Sequence, residues 1–110
     1  MADVLKNLVR SLVAAASTAY VTAGAAETIT IKRVKITNIN AAGGASVTAS
    51  LWAGSVADDA HALFKAITLA PGESIELDPT MIVLAPTEKL FAQGSVANNL
   101  NIQADGLSQS

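Results

Sequence analysis

An all-β chain, folded as an antiparallel β-sandwich or jelly roll of about eight strands behind an N-terminal helix or arm, is the class that three features predict. From Ser17 onward apolar residues recur with a period of two. Phrases rich in Gly, Pro and Asn break that alternation at short, regular intervals. No stretch between the strands has the length of the helical crossover that a parallel sheet needs. At 110 residues the chain matches one domain. It divides into an N-terminal segment, residues 1–16, and a sandwich, residues 17–110.

The first segment, DVLKNLVRSLVAAA, has its own period. Val4, Leu5, Leu8, Val9, Leu12 and Val13 fall at i, i+1, i+4, i+5, i+8 and i+9, which gathers them on one side of a helix. Lys6, Asn7, Arg10 and Ser11 take the other side, and Asp3 is placed to cap the first turn. The expectation is an amphipathic helix or docking arm whose apolar face is an interaction surface. The alternative is that the same face closes the open end of its own sandwich.

The strands follow in order. STAYVT (17–22) is short, and the turn AGAAE leads into TITIKRVKITNIN (28–40). There Ile29 and Ile31 share one parity, Val34 and Ile36 the other, so the switch at Lys32–Arg33 predicts a β-bulge or a passage between sheets. Gly43 and Gly44 suit a hairpin turn. SVTASLW (46–52) then sets Val47, Ala49 and Leu51 inward and Ser46, Thr48 and Ser50 outward, with Trp52 out of phase. ALFKAITL (62–69) and SIEL (74–77) flank APGE, a tight turn with Pro71 and Gly72 at its centre, and read as a hairpin. TMIVLA (80–85) is almost continuously apolar, as a strand buried on both faces would be. KLFAQG (89–94) and LNIQADG (100–106) complete the set.

Composition restricts function. The net charge of −2 leaves no basic footprint for nucleic acid. The longest uncharged stretch, Ser11 to Ala26, is shorter than the roughly 20 apolar residues of a membrane span. Lys6 and Arg10 before LVAAASTAYVTAGAA imitate a signal peptide weakly, against which stand Asp3 and the diluting Ser and Thr residues. There are no cysteines, hence no disulfides or thiolate ligands, in keeping with a reducing cytoplasm. Charged residues make up 15%, against about 25% in ordinary domains. That predicts surface buried against other subunits, and a homo-oligomer; the alternative is a soluble monomer covered by Ala, Ser, Thr and Asn.

Candidate chemistry is sparse. His61, the single histidine, follows Asp58 and Asp59, yet DDAH lacks the spacing of a metal site, and a solvated loop is the expectation. No Gly-x-Ser-x-Gly elbow accompanies it. Glu73, Glu76, Asp78 and Glu88 are the candidates for the paired carboxylates of glycoside hydrolysis, but Glu73 lies at a turn and Glu76 at an outward position, where acids keep a sheet in solution. Lys32, Arg33 and Lys35 form one basic cluster, suited to solvation or to pairing with an acidic partner. Trp52 and Phe64 are the candidate aromatic platform for a sugar or bases, with core or subunit-contact packing the favoured reading. No catalytic residue, metal site or cofactor is expected.

The order of phrases TAYVTAGAAETITIKRVKITNIN, SVTASLW, ITLAPGESIEL and MIVLAPTEKLFAQGSVANNLNIQADG resembles small β-sandwich structural proteins of tailed bacteriophages. The likeness covers residues 18 to 106, including Ile36–Thr37–Asn38 and the strand–Pro-Gly-Glu–strand phrase from Leu69 to Leu77. The turn Ala23–Gly24–Ala25 departs from it, because a Pro often stands there, and so does the N-terminal segment. The resemblance implies a non-enzymatic virion protein assembled in the host cytoplasm. Its partners would be the major capsid protein or other virion proteins. A head-decoration (cement) protein is the leading reading. A neck, tail or fibre-base component is the alternative within the family. A carbohydrate- or receptor-binding module built on Trp52 is the alternative outside it.

Overall fold

The structure, a computed structural model, describes residues 3–41, 43–77 and 82–109, with side chains described from residue 7 onward. Nine strands form two antiparallel sheets. They are β1 (Asp3–Leu12), β2 (Thr18–Thr22), β3 (Thr28–Asn38), β4 (Val47–Gly54), β5 (Ala62–Leu69), β6 (Ser74–Leu77), β7 (Ile82–Leu84), β8 (Lys89–Gly94) and β9 (Leu100–Gln109). One sheet runs β1-β9-β3-β6, with β7 also on β3, and the other runs β2-β8-β4-β5.

The pairings are nested: β1 with β9, β2 with β8, β3 with β6 and β7, β4 with β5. This is one long antiparallel ribbon rolled up, the plan of a jelly roll. β6 meets Val34–Thr37 and β7 meets Ile29–Ile31 along the same edge of β3. β2 to β9 are the eight strands expected from the sequence, and β1 is a ninth.

Between the sheets lie Ile29, Ile31, Val34, Ile36, Val47, Ala49, Leu51, Leu84, Leu90, Leu100 and Ile102, all 2% exposed or less. Each large aliphatic group among them contributes roughly 1.5–3 kcal/mol by leaving water. The inward set read for β4 is the buried one. The parity switch in β3 is a bulge: the register with β9 shifts between Ile31 and Arg33, so Val34 and Ile36 return to the core. Gly106 lies opposite Ile31 there, so close to the Thr30 carbonyl that no side chain fits.

Three expectations are corrected. Residues 3–12 form strand β1, ten residues long, instead of a helix. β9 supplies a ladder of backbone partners, and a register shift between Asn7 and Val9 breaks the strand's alternation. That irregularity is what gave the segment its helical spacing. Second, β5 and β6 are not a hairpin. The turn at Pro71–Gly72 carries the chain from one sheet to the other, and the Gly72 amide donates to the Asn38 carbonyl. The loop holding Gly43 likewise joins two sheets, with Gly43 at φ +88°. Third, β7 is covered on one face only. Ile82 and Leu84 are buried while Val83 is 57% exposed, and residues 80 and 81 of that apolar run lie outside the described residues.

One device recurs at three turns. Glu27, Glu73 and Glu88 each accept, through Oε1, the backbone N–H three residues earlier, from Gly24, Ala70 and Ala85, at 2.7–2.9 Å. Each glutamate amide in turn donates to the carbonyl of that same residue. These three acids thus close the turns that launch β3, β6 and β8.

Candidate functional site

The residues singled out by sequence fall on two separate surfaces. The first is the free edge of β1. Because β1 ends its sheet, one side of its backbone has no strand partner among the described residues. Val4 and Leu5 stand opposite Ser108 and Leu107, and their side chains lie outside the description. Leu8 and Val9 are half-buried and pack against the core. Leu12 is 44% exposed, whereas Val13 is fully buried and donates its amide to Leu100. The six apolar residues therefore do not share one face: some seal the chain's own core, and Leu12 turns outward.

The second surface is the outer face of the four-stranded sheet. Trp52 pairs with Phe91 on β8 and Ala62 on β5. As the residue after Leu51 it takes the outward parity of β4. It is nonetheless only 5% exposed, so its ring faces are not open to stack a sugar. The indole N–H is buried without an acceptor among the described residues. Beside it lies a recess of about 240 Å3, lined by Thr48 and Ser50 of β4, Lys65 of β5, and Gln93 and Ser95 on and after β8.

Backbone irregularity shapes this recess. β5 carries extra residues opposite Ser50, with Ala66 at φ +54° and its amide donating to Ser50 Oγ at 2.8 Å. Ser95 Oγ accepts from the Thr48 amide at 3.0 Å, and Gln93 Nε2 donates to the Ala15 carbonyl at 2.9 Å. Thr48 and Ser50 were legible only as outward positions. Their meeting with Gln93 and Ser95 depends on the β4–β8 pairing, which no local pattern reveals.

The loop before β5 is pinned to the same face. The His61 ring lies against Gly54, at φ +151°, where any Cβ would collide with it. His61 Nδ1 is 2.6 Å from Asp58 Oδ1, and Lys65 Nζ donates to Asp59 Oδ1 at 2.8 Å. The hydrogen bond from the imidazole holds the Asp58 carboxyl below its ordinary value of 3.8. Among the described residues no three His, Asp or Glu side chains gather as a metal site would require. In the basic cluster, Arg33 reaches Glu76 of the same chain, with Nε and one terminal nitrogen 3.1 and 3.0 Å from one carboxylate oxygen.

No protein-family model, no curated protein and no solved structure matches the chain.

Proposed function

We propose that the chain is a non-enzymatic virion structural protein that decorates a capsid, binding and stabilising the lattice of the major capsid protein. The observation that carries this reading is the edge of β1. Along its outer side this ten-residue strand has no strand partner among the described residues, and it ends on Leu12, which is 44% exposed. An open strand edge that also bears an exposed apolar residue suits a neighbour that completes the sheet.

Two further features support the reading. Double-sheet jelly rolls recur in viral capsid and lectin domains, a fold-level analogy. The carbohydrate alternative loses its stacking platform with the burial of Trp52. A strand added along β1 gains a set of backbone hydrogen bonds together with apolar burial. Repetition over a lattice multiplies even a weak contact through avidity.

The test is co-sedimentation of the purified chain with empty capsids, read beside capsid melting. Saturable, stoichiometric binding that raises the melting temperature is expected. Absence of binding with unchanged melting removes the cement role, and binding confined to isolated necks or tails would assign the chain to those structures instead.

A further inference from the structure

We infer that the outer face of the five-stranded sheet docks an acidic protein surface; the inference rests on the capsid reading and gives that surface to the major capsid protein. Strand register builds the face. On β9, Ile102 and Ala104 are buried, so Gln103 and Asp105 take the outward parity. Residues directly opposite one another across a ladder share a face. Arg10 of β1 and Lys35 of β3 stand on either side of Gln103, and Arg33 stands opposite Asp105. The bulge in β3 adds one more cation. Ile31 and Val34 are buried, and the two residues between them, Lys32 and Arg33, are both exposed.

Among the described side chains this face holds four cations, Arg10, Lys32, Arg33 and Lys35, and two acids, Glu76 and Asp105. Glu76 is engaged by Arg33, which leaves Arg10, Lys32 and Lys35 with no acid at ion-pair distance among the described residues. The acids that could balance them are held elsewhere. Glu27, Glu73 and Glu88 close turns, while Asp58 and Asp59 bind His61 and Lys65 beside the opposite sheet. A chain of net charge −2 has thus set four of its seven cations on one face. Solvated surfaces intersperse the two signs; here like charges stand uncompensated, and an acidic partner compensates them. Arg10 lies on the edge strand itself, two residues before the exposed Leu12, so the basic strip runs out to the edge that the capsid reading uses. Nucleic acid fits less well, because it needs many phosphate contacts and meets a chain of its own sign.

The test is co-sedimentation of the full-length chain with empty capsids as salt is raised from about 0.05 to about 0.5 M. Affinity is expected to fall steadily with salt. Arg10→Gln combined with Lys32→Gln, both at exposed positions, is expected to bind about tenfold more weakly at low salt, the scale of two exposed ion pairs. Lys65→Gln combined with Lys89→Gln removes the same charge from the opposite sheet and is expected to bind as the wild type does. Thermal melting of both variants is read alongside, and both are expected to unfold cooperatively. Capsid binding that ignores salt, survives the first pair of substitutions, or weakens equally in the second pair overturns the inference and leaves the capsid reading standing. No capsid binding by the wild type removes that reading and the inference with it. Tighter retention on double-stranded DNA than on capsids at equal salt overturns the acidic protein as the occupant.

Discussion

The side-chain amide of Asn38 donates to the carbonyl of Leu69 at 2.9 Å, joining the end of β3 to the end of β5 across the two sheets. The same nitrogen reaches the Ala45 carbonyl at 3.1 Å, and Asn38 Oδ1 accepts from the Asn40 amide at 2.9 Å. One fully buried polar residue therefore fastens both crossings between sheets at this end of the roll. Asn38→Ala removes the buried bond to the Leu69 carbonyl, one of two donors to the Ala45 carbonyl and the acceptor of the Asn40 amide, and is expected to cost about 3 kcal/mol in denaturant unfolding. Asn38→Asp keeps the shape but sets a carboxylate against two carbonyls, which raises its folded pKa. The stability of that variant is therefore fullest below the ordinary carboxylate range and declines as pH rises through the raised value. The wild-type chain measured beside it separates this effect from the rest of the titration.

Thr87 occupies the third position of the Ala85–Glu88 turn at φ +73°, where the equivalent turn has Gly72 at φ +82°. A β-branched residue there is strained, by roughly 1–2 kcal/mol on the scale of left-handed backbone. Thr87→Gly is expected to raise the thermal midpoint, with a gain of about 1 kcal/mol, and Gly72→Ala to lower it by a similar amount. Opposite signs at two matching positions are the diagnostic.

Glu73→Ala and Glu88→Ala each remove a carboxylate that accepts a backbone N–H across a turn. Each is expected to cost about 1 kcal/mol, with the glutamine variants intermediate because a carbonyl acceptor remains. Chemical denaturation of the four variants measures this.

Asp58 titrates below 3.8 because His61 donates to it. A depressed folded value means that the contact contributes above the unfolded pKa and is lost as acid takes the pH down through the folded one. Carbon NMR of the Asp58 carboxyl should show a midpoint that returns to the ordinary value in His61→Ala.

Deleting residues 1–15 removes Val13 from the core, the whole β1–β9 ladder and the Ala14 amide that donates to the Tyr20 hydroxyl at 2.7 Å. The truncated chain is expected to lose cooperative unfolding by circular dichroism. An intact, cooperative remainder would mark the segment as a detachable arm.

Legibility followed locality. Val47, Ala49 and Leu51 could be sided because a strand's alternation is a local property, and the Lys32–Arg33 bulge showed as a break in it. Gly72 was readable because a turn's dihedral demand falls on one residue. β1 was misread because three apolar doublets four residues apart fit a helix, and a bulged edge strand of apolar residues leaves the same trace. Its partner β9 lies at the other end of the chain, beyond any window of periodicity. Trp52 was seen to be out of phase, yet its burial on an outer face depends on neighbouring strands. Asn38, quoted only as the close of a strand phrase, proved to be a buried fastening point.

The central claim is that the β1 edge is the adhesive surface. The absence of cysteine makes Leu12→Cys, at a position 44% exposed, a unique thiol on that edge. Its rate of maleimide labelling, compared between the free chain and the chain bound to empty capsids, is the direct measurement. The account predicts fast labelling when free and strong protection when bound. Equal labelling in both states would contradict it.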